Sequence, residues 1–408
     1  MVINGGKGPV AALESAAVSP GRRAPWWETV DDTVTTHLQL QAADSAVLRK
    51  EVDVAVLGGG IAGLSAAAAA AARGAHVVLL DQGSALGTGA SGQNAGIVCV
   101  GVNMPITSLA MDAHAAWLWA ETARLADWLF EQCQEPDTLL CGRKTGSLFL
   151  AKSKTAAKRL EGEVRSRREA KLKAELISAA EAKRMSSDWI DVTGVHNAEY
   201  LPDEGRINPW TLLAFLAHNA RQSGALLLGG ASIVRYEEVQ QQPGRKQWRI
   251  DLANGMKISA RSLIRCTGPI VGANSRIYAL AFRLRLPEDF PVFQDAAPFT
   301  YYDYRSGDGF FTVSGGRYGR AGAAAPDESY WRRMIAAARQ WLPGISAEPD
   351  YRWAVDLNVT ADMIPCLTPL GSSAAGVAVE GLGALGVLPG IALGRKAGAD
   401  MVASIAGD

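Results

Sequence analysis

Six residues in a row, Gly58-Gly59-Gly60-Ile61-Ala62-Gly63, have the types and spacing to hold a phosphate chain. Gly58 permits a tight turn, Gly60 lets the backbone approach a pyrophosphate, and Gly63 lets a helix pack close to a strand. A helix starting at Ile61 and Ala62 would aim unpaired N–H groups and partial positive charge at the same anion. Asp81, at the end of the next apolar run, is placed to accept hydrogen bonds from ribose hydroxyls. An acid there disfavours an additional ribose phosphate.

Those residues need a scaffold, and the flanking sequence supplies one. Val52 to Leu57 reads as a buried strand, Leu64 to Ala72 as an alanine-rich helix, and His76 to Leu80 as a second strand. Strand, glycine turn, helix, strand and acid together make a dinucleotide site; the glycines alone would not. Val54 to Ala72 is also an uncharged run of membrane-spanning length. Three consecutive glycines and a strand-like start make it a poor spanning helix.

The whole chain sets the bounds. It has 408 residues, 48% hydrophobic and 20% charged, with a formal net charge of zero. That is enough for two domains with a sizeable core. The charge balance excludes nucleic acid or an acidic membrane surface as an evident partner. Five scattered cysteines, none in a CxxC pair, fit a reduced, cytoplasmic setting. Residues 1–24 read as a loose tail, and Trp26 and Trp27 as its anchor on the first domain. Arg22-Arg23 is followed by no apolar segment that would make it a leader.

After Asp81 and Gln82, residues 87–96 read Gly-Thr-Gly-Ala-Ser-Gly-Gln-Asn-Ala-Gly, a loop able to wrap a ligand beyond its pyrophosphate. This segment resembles the second loop, G-x-G-A-S-G-R/Q-N-A/G-G, of FAD-dependent oxidoreductases of the D-amino-acid oxidase type. That family includes sarcosine and glycine oxidases, amino-acid dehydrogenases and γ-glutamylputrescine-type amine oxidases. Three later islands are similar to the same family: Arg206-Ile207-Asn208-Pro209 opening a helix; Ala260 to Gly268 ending in Thr-Gly; and Gly381 to Arg395. The resemblance spans roughly residues 50–408 and is strongest in these islands.

The resemblance implies an α/β fold with an α+β substrate domain: a Rossmann-like FAD-binding domain interleaved with an antiparallel-sheet substrate domain. The expected boundaries are 1–49 for tail and anchor; 50–100, 202–285 and 352–408 for the FAD domain; and 101–201 and 286–351 for the substrate domain. Expected cofactor contacts are Gly58, Gly60, Ile61, Ala62, Gly63, Asp81 and Gln82. Gly89, Ala90, Ser91, Gln93, Asn94, Ala95 and Gly96 follow in the second loop. Ile233, Thr267, Gly268, Gly386, Val387 and Leu388 complete the set. Relatives that attach FAD covalently use a His or Cys where this chain has Gln93 and Val355, which implies non-covalent FAD. The implied reaction is oxidation of the C–N bond of an amine or amino acid, with O2, a quinone or a protein accepting the electrons.

Two departures bear on that chemistry. Val313 stands where some relatives place a lysine for oxygen, and Leu385 replaces a C-terminal histidine. A flavin-containing subunit or maturation partner of a larger enzyme, a flavin monooxygenase or halogenase, and an NAD dehydrogenase are the alternatives. The monooxygenase would carry a G-D-A-A-H-like segment, which Gly376 to Gly386 lacks, and the NAD enzyme would not need the 87–96 loop.

Other segments give local expectations. Residues 109–133 have helical periodicity, and residues 152–184, with eleven Lys or Arg against five Glu, read as a solvated helical face. Residues 299–315 alternate aromatic and polar side chains around Asp308-Gly309, the pattern of a hairpin. Its inner face is expected to look at the flavin. Tyr302, Tyr304 and Arg305 are the first candidates for a substrate clamp, with Arg317 and Arg320 behind them. Alternation puts the two tyrosines on one face and Arg305 on the other, so the tyrosines lead. His114 and His196 read as structural.

Overall fold

The computed structural model describes residues 23–44, 51–102, 104–108, 112–242, 245–268, 272–296, 302–322 and 328–406. Phe299 and Tyr301 lie outside these residues, as do residues 1–22 of the expected tail.

The apolar runs form the centre of a nine-stranded sheet. Its main path runs Gln41–Ala42, Leu226–Gly229, Val77–Leu80, Glu51–Leu57, Lys257–Arg265, Arg245–Leu252, Ile233–Gln242. Gly376–Glu380 pairs in parallel with the second half of Lys257–Arg265, and Cys366–Pro369 lies beyond it. Val77–Leu80 is buried throughout, and Glu51–Leu57 from Val54 onward apart from its first residues. Continuous apolar runs are what parallel strands covered on both faces require. The alanine-rich helix, Ile61–Ala71, has nine of its eleven residues buried. It packs against Pro209–Gln222 and against the long helix Val387–Ala406.

That second contact is closer than ordinary side chains permit. Gly390, Gly394 and Gly398 recur every fourth residue, so they share one helix face. A Cβ on Gly394 would lie 2.3 Å from the Ala62 carbonyl oxygen, and one on Gly398 would lie 2.4 Å from that of Ala66.

A second, eight-stranded sheet runs Tyr351–Leu357, Ser275–Arg283, Phe310–Gly319, Tyr302–Gly307, Val292–Asp295, Ser147–Ala151, Asn197–Leu201, Glu175–Ile177. All its pairs are antiparallel except Val292–Asp295 with Ser147–Ala151. The helix Glu328–Trp341 covers one face and encloses a second core with Tyr278, Phe293, Tyr304, Phe311 and Val313. The hairpin turns at Asp308-Gly309, whose φ values of 56° and 82° are those of a type I′ turn.

Three boundaries differ from expectation. Ser275–Arg283 and Tyr351–Leu357 belong to the eight-stranded sheet, although 202–285 and 352–408 were assigned to the cofactor domain. The segment before residue 50 does more than anchor, since Gln41–Ala42 adds an edge strand beside Leu226–Gly229. In the region read as helical from residue 109, the helix is Ala113–Gln132, capped by the Asp112 carboxylate. Residues 109–111 lie outside the described residues. The basic region forms helices Lys154–Glu169 and Ala179–Met185, mostly solvated, but Glu163 and Arg167 turn inward and are buried.

Among the described residues no helix is long and apolar enough to cross a membrane.

Candidate functional site

The glycine turn is fixed by its backbone. Gly58 has φ +100°, and its N–H donates to the Leu80 carbonyl at 2.8 Å. Gly63 sits so close to the turn that a Cβ would lie 1.9 Å from the Gly58 oxygen. Asp81 clamps the same turn, accepting from the Gly59 N–H at 2.7 Å and the Gly83 N–H at 2.8 Å. The acid expected at the ribose therefore also braces the phosphate turn.

The second loop folds back onto it. Ala90–Gln93 is a single helical turn, and Ser91 Oγ accepts the Ile61 N–H at 3.1 Å. Three indoles from distant segments hold this loop by successive carbonyls: Trp210 Nε1 donates to Gly92 (3.2 Å), Trp353 Nε1 to Gln93 (2.9 Å) and Trp26 Nε1 to Asn94 (2.9 Å). The Gln93 side chain accepts the Ala24 N–H at 3.0 Å. Trp26 is thus an anchor of the loop itself, whereas Trp27 is only partly buried.

Between these segments and the second sheet lies a cleft of about 1340 Å³, open to solvent. Gly60, Ile61 and Ala62 form one end, and Ala90, Ser91, Gln93, Asn94 and Ala95 the adjoining wall. Thr267 and Gly268 follow the end of Lys257–Arg265, and Gly381 to Val387 complete the lining. Three helical starts, at Ile61, Ala90 and Val387, therefore border one space. That arrangement suits a long, anionic ligand. Asn358 braces the Gly381 segment by accepting its N–H at 2.9 Å.

The expected contacts divide. Gly60, Ile61, Ala62, Ala90, Ser91, Gln93, Asn94, Ala95, Thr267, Gly268, Gly386 and Val387 line the cleft. Gly58, Gly63, Asp81, Gly89 and Gly96 shape the backbone around it. Gln82 is exposed, Ile233 begins a strand at the sheet's edge, and Leu388 is buried in the core. These three do not border the cleft.

The substrate-clamp candidates are displaced. The alternation along Tyr302–Gly307 holds, but the face toward the cleft is the one carrying Asp303. Tyr304 is fully buried behind the sheet, its ring stacked on Phe293 at 4.3 Å, and Tyr302 packs on that same core. Arg305 is fully buried under the hairpin turn, ion-paired with Asp308 at 2.5 Å and lying 4.6 Å over the Trp26 ring. Arg320 is exposed, and the Arg317 side chain lies outside the described residues. His114 bonds the Pro365 carbonyl at 2.7 Å, and His196 is exposed. Val313 likewise faces the second core; its neighbour Ser314 borders the cleft.

The cleft wall from the second sheet is mainly apolar, with Ile277, Ala279, Val355 and Leu357. Asp303 and Ser314, opposite each other in the ladder, are its polar pair. Burial, followed by the nearby Glu204 carboxylate, pushes the Asp303 carboxyl up to about 7. Sequence reading passed over Asp303, although an acid between two core-facing tyrosines must point to the other side. Cys266 also borders the cleft, and burial pushes its thiol up to about 12.

A family profile described as FAD dependent oxidoreductase (DAO) matches residues 53–399. No curated protein sequence matches the chain. Among solved structures, glycine oxidase from Geobacillus kaustophilus is similar with a TM-score of 0.68 and 20% identity, covering 87% of this chain and 95% of that one. Iminodiacetate oxidase from Chelativorans sp. BNC1 gives 0.67 and 22%, covering 87% and 95%. Reduced L-α-glycerophosphate oxidase from Mycoplasma pneumoniae, with FAD bound, gives 0.70 and 13%, covering 86% and 95%.

Proposed function

Because the chain belongs to the DAO family of FAD-dependent oxidoreductases, we propose that it oxidises the C–N bond of an amine or amino acid, hydride passing to flavin N5 and the imine product hydrolysing in water. The observation that carries this reading is the cleft itself, which joins a dinucleotide turn to the wall of a separate sheet. The cleft suits the cofactor: glycine backbone at one end and helical starts along its walls leave room and positive potential for a pyrophosphate.

Gly60, Ile61, Ala62, Ser91 and Asn94 would hold the phosphates and the adjoining portion, and Gly383 to Val387 the far end. Bound FAD supplies the two-electron acceptor that amino-acid side chains lack. Gln93 and Val355 stand at the positions where covalent relatives carry His and Cys. Neither has a nucleophilic atom, which supports non-covalent attachment. The apolar wall of Ile277, Ala279, Val355 and Leu357 would pack against a substrate beside the cofactor and displace water from that face.

The test is an absorption spectrum of purified protein, followed by anaerobic addition of amines, amino acids and 2-hydroxy acids. Bleaching of the flavin band by an amine or amino acid is expected. Bleaching only by a hydroxy acid would replace the C–N reading with C–O oxidation. Readmitted air then assigns the acceptor: prompt return of colour means O2, and persistence of the bleached state means a quinone or protein. Elution as a free, active monomer or homodimer would remove the partner-subunit reading.

A further inference from the structure

The sheet wall presents one carboxylate for which the reading above has no task. Asp303 is 8% exposed, borders the cleft, and has no hydrogen-bond partner for Oδ1. Buried carboxylates ordinarily meet a cation or several donors.

Among the described residues no cation pairs with it, and none of the neighbouring donors bonds Oδ1. Ser314 stands across the ladder and Tyr318 lies on the same strand as Ser314. Near Asp303 are Glu204 and Cys99, both deeply buried, and the buried Gln294 stands across the ladder on the other side, its amide directed to Cys99 Sγ at 3.9 Å. Beyond them Arg167 is shared among Glu163, Glu199 and Glu204, at N–O distances of 3.4, 3.2 and 4.0 Å. The guanidinium that borders the cleft, Arg265, is paired with Glu380. Among the described residues, acids outnumber cations around Asp303. The cleft is the side from which a positive charge can reach it.

We propose that Asp303 binds the ammonium group of a cationic amine substrate and accepts its proton before the C–H bond is broken. This rests on the C–N oxidation reading. In the step, an N–H bond of the ammonium breaks, an O–H bond forms on Asp303, and the electron pair stays on nitrogen as a lone pair. Nothing is oxidised or reduced. The neutral amine has the lone pair that assists departure of the α-hydride; the ammonium does not.

Burial places the Asp303 carboxyl near neutrality, where a proton acceptor works best. Glu204 is raised in the same sense, mainly by burial. At acid pH Asp303 carries its own proton and cannot take another, so flavin reduction at sub-saturating amine should slow as pH falls through about 7, and the limiting rate at a lower pH, because a bound ammonium favours the carboxylate.

The experiment is anaerobic stopped-flow bleaching of the FAD holoenzyme by an amine, followed across neutral pH. The wild-type limiting rate should show an acidic limb. Asp303→Asn should lower that rate by about 10²–10⁴-fold and lose the limb, with its flavin spectrum retained. Asp303→Glu should keep the limb at a shifted position. An Asp303→Asn enzyme with the wild-type rate and pH profile would overturn the proposal and leave C–N oxidation standing. Bleaching by hydroxy acids but by no amine would overturn both. If Asp303→Asn loses flavin, Asp303→Glu decides: a shifted limb supports the proton-acceptor role and an unshifted one overturns it.

Discussion

Replacing Gly394 by alanine adds one methyl group at the tightest point between the two helices that flank the cofactor turn. The new carbon would begin 2.3 Å from the Ala62 carbonyl oxygen and 2.9 Å from Ser65 Cβ. The first obstacle is backbone, so no rotamer change relieves it. Reaching ordinary contact requires the helices to part by roughly 1 Å, an overpacking that costs about 1–3 kcal/mol. Alanine's better helix propensity returns about 0.5–1 kcal/mol. A net loss near 1 kcal/mol is therefore expected, together with weaker FAD binding, because Val387 at the start of the displaced helix borders the cleft. Gly162→Ala provides the control. It lies inside helix Lys154–Glu169 with nothing within 4 Å of its added carbon, so it should gain about 0.5–1 kcal/mol. Urea unfolding followed by tryptophan fluorescence, with and without FAD, reads both. If Gly394→Ala unfolds no earlier than wild type, the close approach of the helices is refuted.

Gly60→Val should yield colourless protein: its Cβ would lie 2.8 Å from Ser91 Oγ, which holds the Ile61 N–H, and its methyl groups would enter the cleft. A loss of about 3 kcal/mol corresponds to more than a hundredfold in Kd, and wild-type flavin content would contradict it. Trp353→Phe removes the donor to the Gln93 carbonyl and should cost about 1 kcal/mol of stability with weaker FAD retention, read by dialysis and absorbance. Tyr304→Phe should leave kcat/KM unchanged, because the ring is buried behind the sheet; a large kinetic defect would return Tyr304 to the substrate side. Glu199 tests the buried acids. Burial raises its pKa to about 8, so folded protein holds a proton that the unfolded chain releases near 4.5. Stability should thus fall as pH rises from about 4.5 to 8, by at most about 1.4 kcal/mol per unit, and Glu199→Gln should flatten that slope in urea titrations.

The cofactor turn was legible because its requirements are local. Gly58, Gly63 and Asp81 sit within 24 residues of one another, and each is dictated by the geometry of one strand–turn–helix unit. The hairpin was legible for the same reason, since Asp308-Gly309 suits positive φ at both positions. Which face of that hairpin meets the cleft was not. Alternation separates Tyr304 from Asp303 but says nothing of which side another sheet will cover; the helix Glu328–Trp341 settles that, from outside the hairpin. Trp26 was legible as an anchor, but the task it shares with Trp210 and Trp353 was not, because their common target, the run of carbonyls from Gly92 to Asn94, is assembled only in three dimensions. Glu163 and Arg167 were read as part of a solvated face because composition cannot mark which members of a charged helix turn inward.

The close seam between Ile61–Ala71 and Val387–Ala406 also has a meaning for how the protein is made. The first helix leaves the ribosome hundreds of residues before its partner does. Throughout that interval its small-residue face has nothing to lie against, and the parallel strands beside it still await Lys257–Arg265 and Gly376–Glu380. A domain stitched from such distant stretches cannot complete itself as it emerges, and contacts of long sequence separation form slowly. Production of this protein should respond to the speed of translation, to holding chaperones and to free flavin in the cell more strongly than its final stability would suggest.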